Sequence, residues 1–259
     1  MDGLERCLRH PSAAELFPGR RLSYNTPGWI YAGAHMPFDP RHYSLKLRSS
    51  TIKVYGVYLG VDKIGHFHDL GHIYFKEFQK LRRGAKSEEQ ARRTVVHRFT
   101  RGLISEAAII GTMATGVHSH ADLAANYLGF KFYRNLTEPV VVRDRLHPPL
   151  LTRVGAHWRT NMHAHPEADI LRPFISDHMN EALNPSLLEW SMRASLAARL
   201  AANALDILAF YADERGVTRP REYFESRMRE LSTIDGEDYG HRVFLDDQMV
   251  TIANSCFSQ

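Results

Sequence analysis

From about residue 61 the apolar positions of the chain recur every three or four residues, which is the period of an amphipathic helix. In residues 62–81 the recurring positions are Ile64, Phe67, Leu70, Tyr74 and Phe78. The period continues over residues 87–113, where Ser87 and Gln90 match a capping box, and over residues 121–136. We therefore predict three helices, which together form a helical core.

Before this core the pattern is different. Residues 1–50 carry prolines at short intervals, which blocks long helices and predicts an irregular arm over the core. Residues 51–60 alternate enough between apolar and polar side chains to form a strand, although they could equally open a helix. The helical core itself is expected to span residues 60–136.

After the core, a Pro-rich and loop-rich connection is predicted over residues 137–185. An Ala/Leu-rich pattern then predicts a long helix over residues 186–215, and Pro220 suits the first turn of a shorter helix over residues 219–231. These helices belong to a C-terminal part, residues 186–259. The fold class that follows is mostly α, in a single domain over residues 1–259.

The composition mainly excludes classes of protein, namely integral membrane proteins and nucleic-acid-binding proteins. Apolar residues make up 44% of the chain and charged residues 24%, as in ordinary globular proteins. No apolar run is long enough for an integral membrane segment. The net charge is +4, yet no Lys/Arg block of the nucleic-acid-binding type occurs, so nucleic acid is not an expected partner.

Two features bear on the cellular compartment. The first residues lack the pattern of a signal peptide, so the protein is expected in the cytoplasm, or in the periplasm or outside the cell if a signal was removed. The chain has only two cysteines, Cys7 and Cys256, and no CxxC pair. The two thiols can form a disulfide that ties the ends together, or they can be free.

One acidic residue stands out because of its apolar neighbours. Glu106 is the only acid between Gln90 and Ala121, in the stretch GLISEAAIIG. A carboxyl group in such surroundings is desolvated, which raises its pKa toward the value that a general acid needs near neutral pH. Alternatively, Glu106 pairs with Arg101 or a histidine, or lies on the polar face of its helix.

A polar loop follows this helix and leads into the next one, in the sequence TGVHSHADLAAN. Asp122 and Asn126 are four residues apart and therefore share one face of the new helix. The loop is a candidate wall of a binding cleft, although helix capping explains Ser119 and Asp122 equally well.

The histidines of DKIGHFHDLGH form a second candidate group. His68 and His72 lie one helical turn apart, as in a two-histidine zinc pair, whereas His66 points nearly half a turn away from them. A third ligand could come from His118, His120 or Asp122. Because histidine is frequent in this chain, chance can also explain the spacing.

A third candidate group lies in DHMNEALNP, where Asp177 and Glu181 are one turn apart. Structural capping is the simpler explanation of this segment. Serine and cysteine nucleophile motifs and phosphate-binding glycine loops do not occur in the chain.

Taken together, DKIGHF, Glu106, TGVHSHADLAANYLGFKFY and DHMNEALNPSL resemble a bacterial lysozyme-like family related to lysozymes that act on deacetylated peptidoglycan. The resemblance covers about residues 60–190. It implies a lysozyme-like helical fold with Glu106 as the catalytic acid and the loop Gly116–Asp122 as a cleft wall. This chain has His118 where the family's loop carries a tyrosine, which leaves the second catalytic role open.

The resemblance predicts a glycoside hydrolase that cleaves bacterial peptidoglycan glycan by general acid catalysis from Glu106, without a cofactor. Asp122 is the candidate second carboxylate, and His118 is a candidate for placing water or sugar. Further side chains are candidates for substrate binding, namely Ser119, His120, Asn126 and His66.

Two other interpretations remain open. A zinc-dependent hydrolase would hold the metal with His68, His72 and a loop ligand, and would use Glu106 as a base. A non-catalytic helical module would need none of these residues for chemistry.

Overall fold

The computed structural model describes five segments of the chain, namely residues 51–101, 117–161, 169–188, 190–242 and 249–257. The arm predicted over residues 1–50 lies outside these segments, and so does the part of the predicted helix over residues 87–113 that carries Glu106.

The described part begins with a β-hairpin, so the strand interpretation of residues 51–60 is confirmed. Thr51–Val54 (β1) pairs antiparallel with Val57–Gly60 (β2). Both residues of the connecting turn have positive φ, 51° at Tyr55 and 88° at Gly56. Such turns match the twist of the two strands, and glycine adopts this conformation without steric cost.

A continuous helical run follows the hairpin and confirms the helix predicted over residues 62–81. It consists of Asp62–Gly65 (α1), a π-helical turn over His66–Leu70, and Gly71–Arg83 (α2). The buried side chains after α1 include Phe67, Tyr74 and Phe78, all on the stripe predicted from the period. The π turn adds a residue to one turn of the run, which the period did not predict.

Two more helices complete the core. Glu88–Arg101 (α3) begins with the predicted capping box, in which the Ser87 and Gln90 side chains each accept the other residue's backbone N–H at 3.2 Å. His120–Asn135 (α4) is buried over most of its length and confirms the helix predicted at residues 121–136. The described residues thus form a mostly helical fold.

Helices α2 and α4 approach each other closely at two glycines. A Cβ atom on Gly71 would lie 2.7 Å from the backbone of Gly129, and a Cβ on Gly129 would overlap the carbonyl oxygen of Phe67. Only residues without a side chain allow this approach, which brings the start of the first helical run beside α4.

The connection predicted over residues 137–185 is more regular than its prolines suggest. Val140–Val142 (β4) pairs with Arg145–His147 (β5), and Leu151–Val154 (β6) pairs with His157–Thr160 (β7). The connection was predicted to be loop-rich, and the two hairpins are regular elements that this prediction missed. Pro148 and Pro149 lie between the hairpins and not within a strand, and the three valines of β4 favour a strand.

The remainder of this connection is less regular, in agreement with the prediction. Arg172–Phe174 and Asp177–Met179 are single 3₁₀ turns.

The long helix predicted over residues 186–215 is also wrong. Its first residues form Leu187–Leu188 (β8), which pairs with Val117–His118 (β3). The helical residues divide into Trp190–Ala202 (α5) and Ala204–Phe210 (α6). The division falls at Asn203, whose side chain donates to the carbonyl of Arg199 at 2.8 Å and so competes with helix continuation.

The last elements pack with α5 and α6 into a second apolar cluster. Arg221–Glu230 (α7) confirms the short helix predicted after Pro220, and Ile252–Ser255 (α8) follows near the end of the chain. Cys256 is a buried free thiol in this cluster, with its Sγ 3.6 Å from the carbonyl oxygen of Leu200. Cys7 lies outside the described residues. No helix in the described segments is both long and apolar enough to cross a membrane.

Candidate functional site

Three segments that the sequence treated separately meet at the side chain of Lys63. Its ammonium group lies 2.8 Å from Asp62, 2.6 Å from Glu181, and also in contact with Asp122. Lys63 comes from α1, Asp122 from the first turn of α4, and Glu181 from the turn after the second 3₁₀ turn. The result is an ion cluster of one buried cation and three carboxylates, which we call the Lys63 cluster.

The lysine at the centre of this cluster is 1% exposed. Burial alone would lower the pKa of Lys63, but the charges of Asp122, Asp62 and Glu181 raise it well above its ordinary value. Lys63 therefore carries a permanent positive charge. This excludes a role as a neutral base or nucleophile near neutral pH.

The cluster has more carboxylates than cations, and the excess of negative charge favours the protonated form of Glu181. Burial raises the pKa of Glu181 to about 7, and the charges of Asp62 and Asp122 add to this effect, whereas Lys63 opposes it. Near neutral pH, a large fraction of Glu181 is thus protonated and able to donate a proton. The Glu181 side chain is 16% exposed, so water or substrate can reach it.

Buried asparagines fix the turn that carries Glu181. Asn180 accepts from the backbone N–H of Ala182 at 3.1 Å and from the Tyr211 hydroxyl at 3.2 Å. Asn184 donates to the carbonyl of His178 at 2.7 Å. The NEALN segment is therefore a rigid support for one acid.

The N-terminus of α4 supplies the second carboxylate. Ser119 is the N-cap, and its hydroxyl accepts from the backbone N–H of Asp122 at 3.1 Å while lying 3.5 Å from Glu181 Oε1. This confirms the capping interpretation of Ser119 and places it in the cluster as well. The positive end of the helix dipole and the Lys63 ammonium both stabilise negative charge on Asp122.

His66 and Asn126 form the outer part of the same site. His66 Nε2 lies 3.5 Å from Asp122 Oδ2, and His66 Nδ1 lies 3.1 Å from the Asn126 side-chain amide. The hydrogen-bond pattern favours the amide orientation in which the Asn126 nitrogen donates to Nδ1. In a neutral His66 the proton then resides on Nε2, where it faces Asp122.

Three of these residues also have the geometry of a metal site. Ligand atoms of Asp62, His66 and Asp122 lie within 4.8 Å of one another. However, the Lys63 ammonium already contacts both aspartates and supplies the positive charge that a cation would bring. The arrangement is therefore that of an ion cluster that uses lysine in place of a metal ion.

The histidines predicted as zinc ligands lie elsewhere. His68 Nδ1 is 3.4 Å from the Tyr133 hydroxyl, and the ring of His72 packs on the Tyr133 ring at 4.9 Å. They share one side of the helical run, as their spacing predicted, but neither belongs to the group of potential ligands in the described part of the chain.

His118 and His120 are part of a separate, buried group of rings. His120 is 0% exposed, donates from Nδ1 to the carbonyl of Pro185 at 2.6 Å, and stacks on His241 with 3.8 Å between ring centroids. The ring of His118 lies 5.5 Å from that of His120. We call these three residues the histidine cluster; the catalytic and binding roles predicted for its first two members stay predictions.

The histidine cluster makes stability depend on pH. Burial lowers the pKa of His241 from 6.5 to about 4 and that of His120 well below 6.5, and the charges of neighbouring histidines add to the effect. The charge of Arg242 also lowers the pKa of His120, whereas the backbone of Arg242 raises that of His241 through a hydrogen bond. The charge of Asp238 likewise raises the pKa of His241. Between pH 6.5 and 4 the unfolded chain thus binds more protons than the folded one, so stability falls with falling pH, by up to about 1.4 kcal/mol per pH unit and group.

We expect His241→Phe, which keeps a ring in the stack, to flatten this pH dependence in urea unfolding. Because the pKa of Glu181 is raised, its contribution to the free energy of unfolding increases as the pH falls from about 7 to 4.5, opposite to that of the histidines. The pH dependence of the variant is therefore compared with that of the wild type. Exposed His97 serves as the control. If His97→Phe and His241→Phe change the pH dependence equally, the burial argument is wrong.

The structure brings only some of the predicted site residues together. Asp122, Ser119, Asn126 and His66 meet in one site. His118 and His120 belong to the histidine cluster, and His68 and His72 lie at Tyr133. Glu106 lies outside the described residues. Sequence reasoning missed the role of Lys63 and favoured capping for Glu181. One signal was present for the lysine: it stands four residues before Phe67 on the buried stripe that continues through Gly71, a position that normally carries an apolar side chain.

Comparisons with known proteins add no further constraint on this site, because no family model, curated protein or solved structure matches the chain. The fold and the geometry of the Lys63 cluster are therefore the basis for a functional conclusion.

Proposed function

We propose that this protein is a glycoside hydrolase of the lysozyme-like type that cleaves bacterial peptidoglycan glycan. Glu181 is the general acid and Asp122 the second carboxylate. The observation that supports this proposal is the pairing of two carboxylates with different surroundings around one ammonium group.

The two acids suit different tasks. With a pKa raised to about 7, Glu181 holds a proton that it can donate near neutral pH. Asp122 lies against a cation, a helix N-terminus and His66, all of which stabilise its negative charge. Pairs of carboxyl groups in different surroundings are typical of glycosidases.

The reaction proceeds in two steps. In the first, Glu181 transfers its proton to the glycosidic oxygen as the bond from that oxygen to the anomeric carbon breaks, and a carboxylate oxygen of Asp122 forms a bond to the anomeric carbon. In the second, water attacks the anomeric carbon as its bond to Asp122 breaks, and the Glu181 carboxylate takes a proton from that water. Protons and bonds balance without a cofactor.

The separation of the two acids predicts the stereochemistry. Because both carboxylates contact the same nitrogen, their contacting oxygens are at most about two hydrogen-bond lengths, or about 5 Å, apart, which is below the separation of inverting enzymes. Retaining glycosidases hold their two carboxyl groups about 5–5.5 Å apart, whereas inverting enzymes need about 6.5–9.5 Å. We therefore expect retention of configuration at the anomeric carbon.

The resemblance of DKIGHF, SHADLAAN and DHMNEALNPSL to the lysozyme-like family supports the choice of substrate. Side chains from all three segments meet at the Lys63 cluster, as expected if the segments share one task. The resemblance assigned the acid to Glu106, which lies outside the described residues, so the experiment includes both glutamates.

The test is digestion of purified acetylated and deacetylated peptidoglycan, with products identified by mass spectrometry. We expect the wild type to release glycan fragments. The rate of release by Glu181→Gln should be lower by a factor of about 100 or more, because general acid catalysis accelerates such reactions by about 10²–10⁴. Exposed Glu214→Gln is the matched control and should retain full activity. A chelator should have no effect.

Other outcomes contradict specific parts of the proposal. Loss of activity in Glu106→Gln with full activity in Glu181→Gln would move the acid to Glu106. Loss on chelation would favour the zinc hydrolase instead. If neither acetylated nor deacetylated peptidoglycan yields glycan fragments, the protein is not a peptidoglycan glycosidase, and the non-catalytic helical module becomes the better interpretation.

A further inference from the structure

The two β-hairpins after α4 are anchored at the end of that helix, far from the Lys63 cluster. The buried side-chain amide of Asn135 donates to the carbonyls of Glu138, His147 and Pro148 at 3.0–3.2 Å. The backbone carbonyl of Asn135 accepts from the backbone N–H of Leu150 at 2.8 Å. Asn135 thus holds the end of the first hairpin and the start of the second.

The distance from the Lys63 cluster follows from the helix between them. Asp122 lies in the first turn of α4 and Asn135 is its last residue. At 1.5 Å per residue they are about 20 Å apart along the helix axis. The point at which the hairpins are anchored is therefore distant from the site, and an inference about the exposed faces of the hairpins does not rest on the proposed glycosidase activity.

The second hairpin, β6 and β7, is exposed on both faces. Trp158 is 54% exposed and pairs across the strands with exposed Arg153, while on the other face exposed Val154 pairs with exposed His157. A two-stranded hairpin with neither face covered is at best marginally stable in water. Large apolar side chains at such a place are typical of an interaction surface.

The first hairpin, β4 and β5, presents a similar outer face. Val140 and Val142 are buried, while Val141 and its cross-strand partner Leu146 point outward, and Leu146 is 69% exposed. Aliphatic side chains are thus exposed on this hairpin as well.

The charge of this region is predominantly positive. The turn of the first hairpin holds one exposed acid, Asp144, whereas residues 145–161 contain no acidic side chain. Exposed arginines flank the apolar residues in both hairpins, namely Arg145, Arg153 and Arg159. The surface therefore suits a partner that is negatively charged and also accepts apolar side chains.

We propose that the two hairpins form a docking surface for an anionic lipid bilayer. Tryptophan prefers the interface between lipid headgroups and hydrocarbon, and each arginine near an anionic membrane contributes about fivefold to binding. A nucleic acid would use the arginines and the tryptophan, but it gives Leu146, Val141 and Val154 no apolar medium to enter. The aliphatic residues thus favour lipid.

The experiment measures binding of the full-length protein to phosphatidylcholine vesicles with and without phosphatidylglycerol, by co-sedimentation. We expect binding only to the anionic vesicles. Arg153→Glu/Arg159→Glu should weaken it by about thirtyfold or more, since each lost arginine alone is worth about fivefold. Trp158→Ala should weaken it by about tenfold, because the ring leaves water on binding.

Matched controls lie elsewhere on the surface. Arg83→Glu/Arg215→Glu makes the same change in net charge at exposed positions outside the hairpins, and Trp190→Ala removes another exposed tryptophan. Both controls should bind like the wild type. Equal losses in controls and hairpin variants, or equal binding to neutral vesicles, would overturn the proposal. So would binding to a single-stranded oligonucleotide without binding to vesicles.

Discussion

Replacing Lys63 by methionine is expected to lower the free energy of unfolding by about 3–5 kcal/mol, which makes it one of the most damaging single substitutions in the described residues. Methionine fills nearly the same volume, so the loss is electrostatic. Removing one partner of a buried ion pair leaves uncompensated charge in a medium that solvates it poorly. In this cluster the lysine compensates three carboxylates at once.

Urea unfolding near pH 7 measures this loss. Lys80→Met is the matched control, since Lys80 lies exposed on α2 and should change stability by less than about 0.5 kcal/mol. In Lys63→Met the loss should shrink as the pH falls, because protonated carboxyl groups no longer need a counter-charge.

Neutralising the acids provides a second check on the role of Lys63. The additional substitutions Asp122→Asn and Glu181→Gln should restore much of the stability that Lys63→Met loses. A loss below about 1 kcal/mol in Lys63→Met, or a loss that does not depend on pH, would mean that the cluster does not depend on its lysine.

Gly129→Ala is expected to destabilise the protein by about 3 kcal/mol or more, despite the higher helix propensity of alanine. A methyl group there would overlap the carbonyl oxygen of Phe67, and backbone cannot yield as a flexible side chain does. The helices would have to separate, which would also move Lys63 relative to Asp122.

Thermal and urea unfolding of Gly129→Ala and Gly84→Ala make the comparison. Gly84 follows α2, and a Cβ atom there would meet its nearest neighbour, the Leu81 carbonyl oxygen, at 3.4 Å. We expect this control to change stability by less than about 1 kcal/mol. Similar effects at the two glycines would show that the close helix approach is not a constraint.

Local patterns predicted those elements whose stability is decided locally. The apolar period identified the helical run that starts at Asp62, and the Ser87–Gln90 capping box identified the start of α3, because these signals act over one or two helical turns. The hairpins after α4 were missed because short strands separated by prolines carry little period. The break at Asn203 depends on one side-chain hydrogen bond within an otherwise helical pattern.

The site was predictable only in pieces. Helical spacing predicted that Asp122 and Asn126 share one face, and the resemblance to the lysozyme-like family added His66 to the same candidate site. Lys63 and Glu181 are 118 residues apart. Their contact exists only after α1, α4 and the NEALN turn have packed together, so tertiary structure rather than local pattern defines the cation and the proposed acid.

The π-helical turn at His66–Leu70 has a consequence for how such a chain can diversify. One residue more or less in a helix rotates everything beyond it by about 100°. The length of this turn therefore sets the angle between the face that bears Lys63 and the face that begins at Gly71. A single-codon deletion here would preserve nearly every amino acid and both flanking helices. It would nevertheless rotate Lys63 away from its carboxylate partners, so related chains could keep the helices and lose the charged cluster.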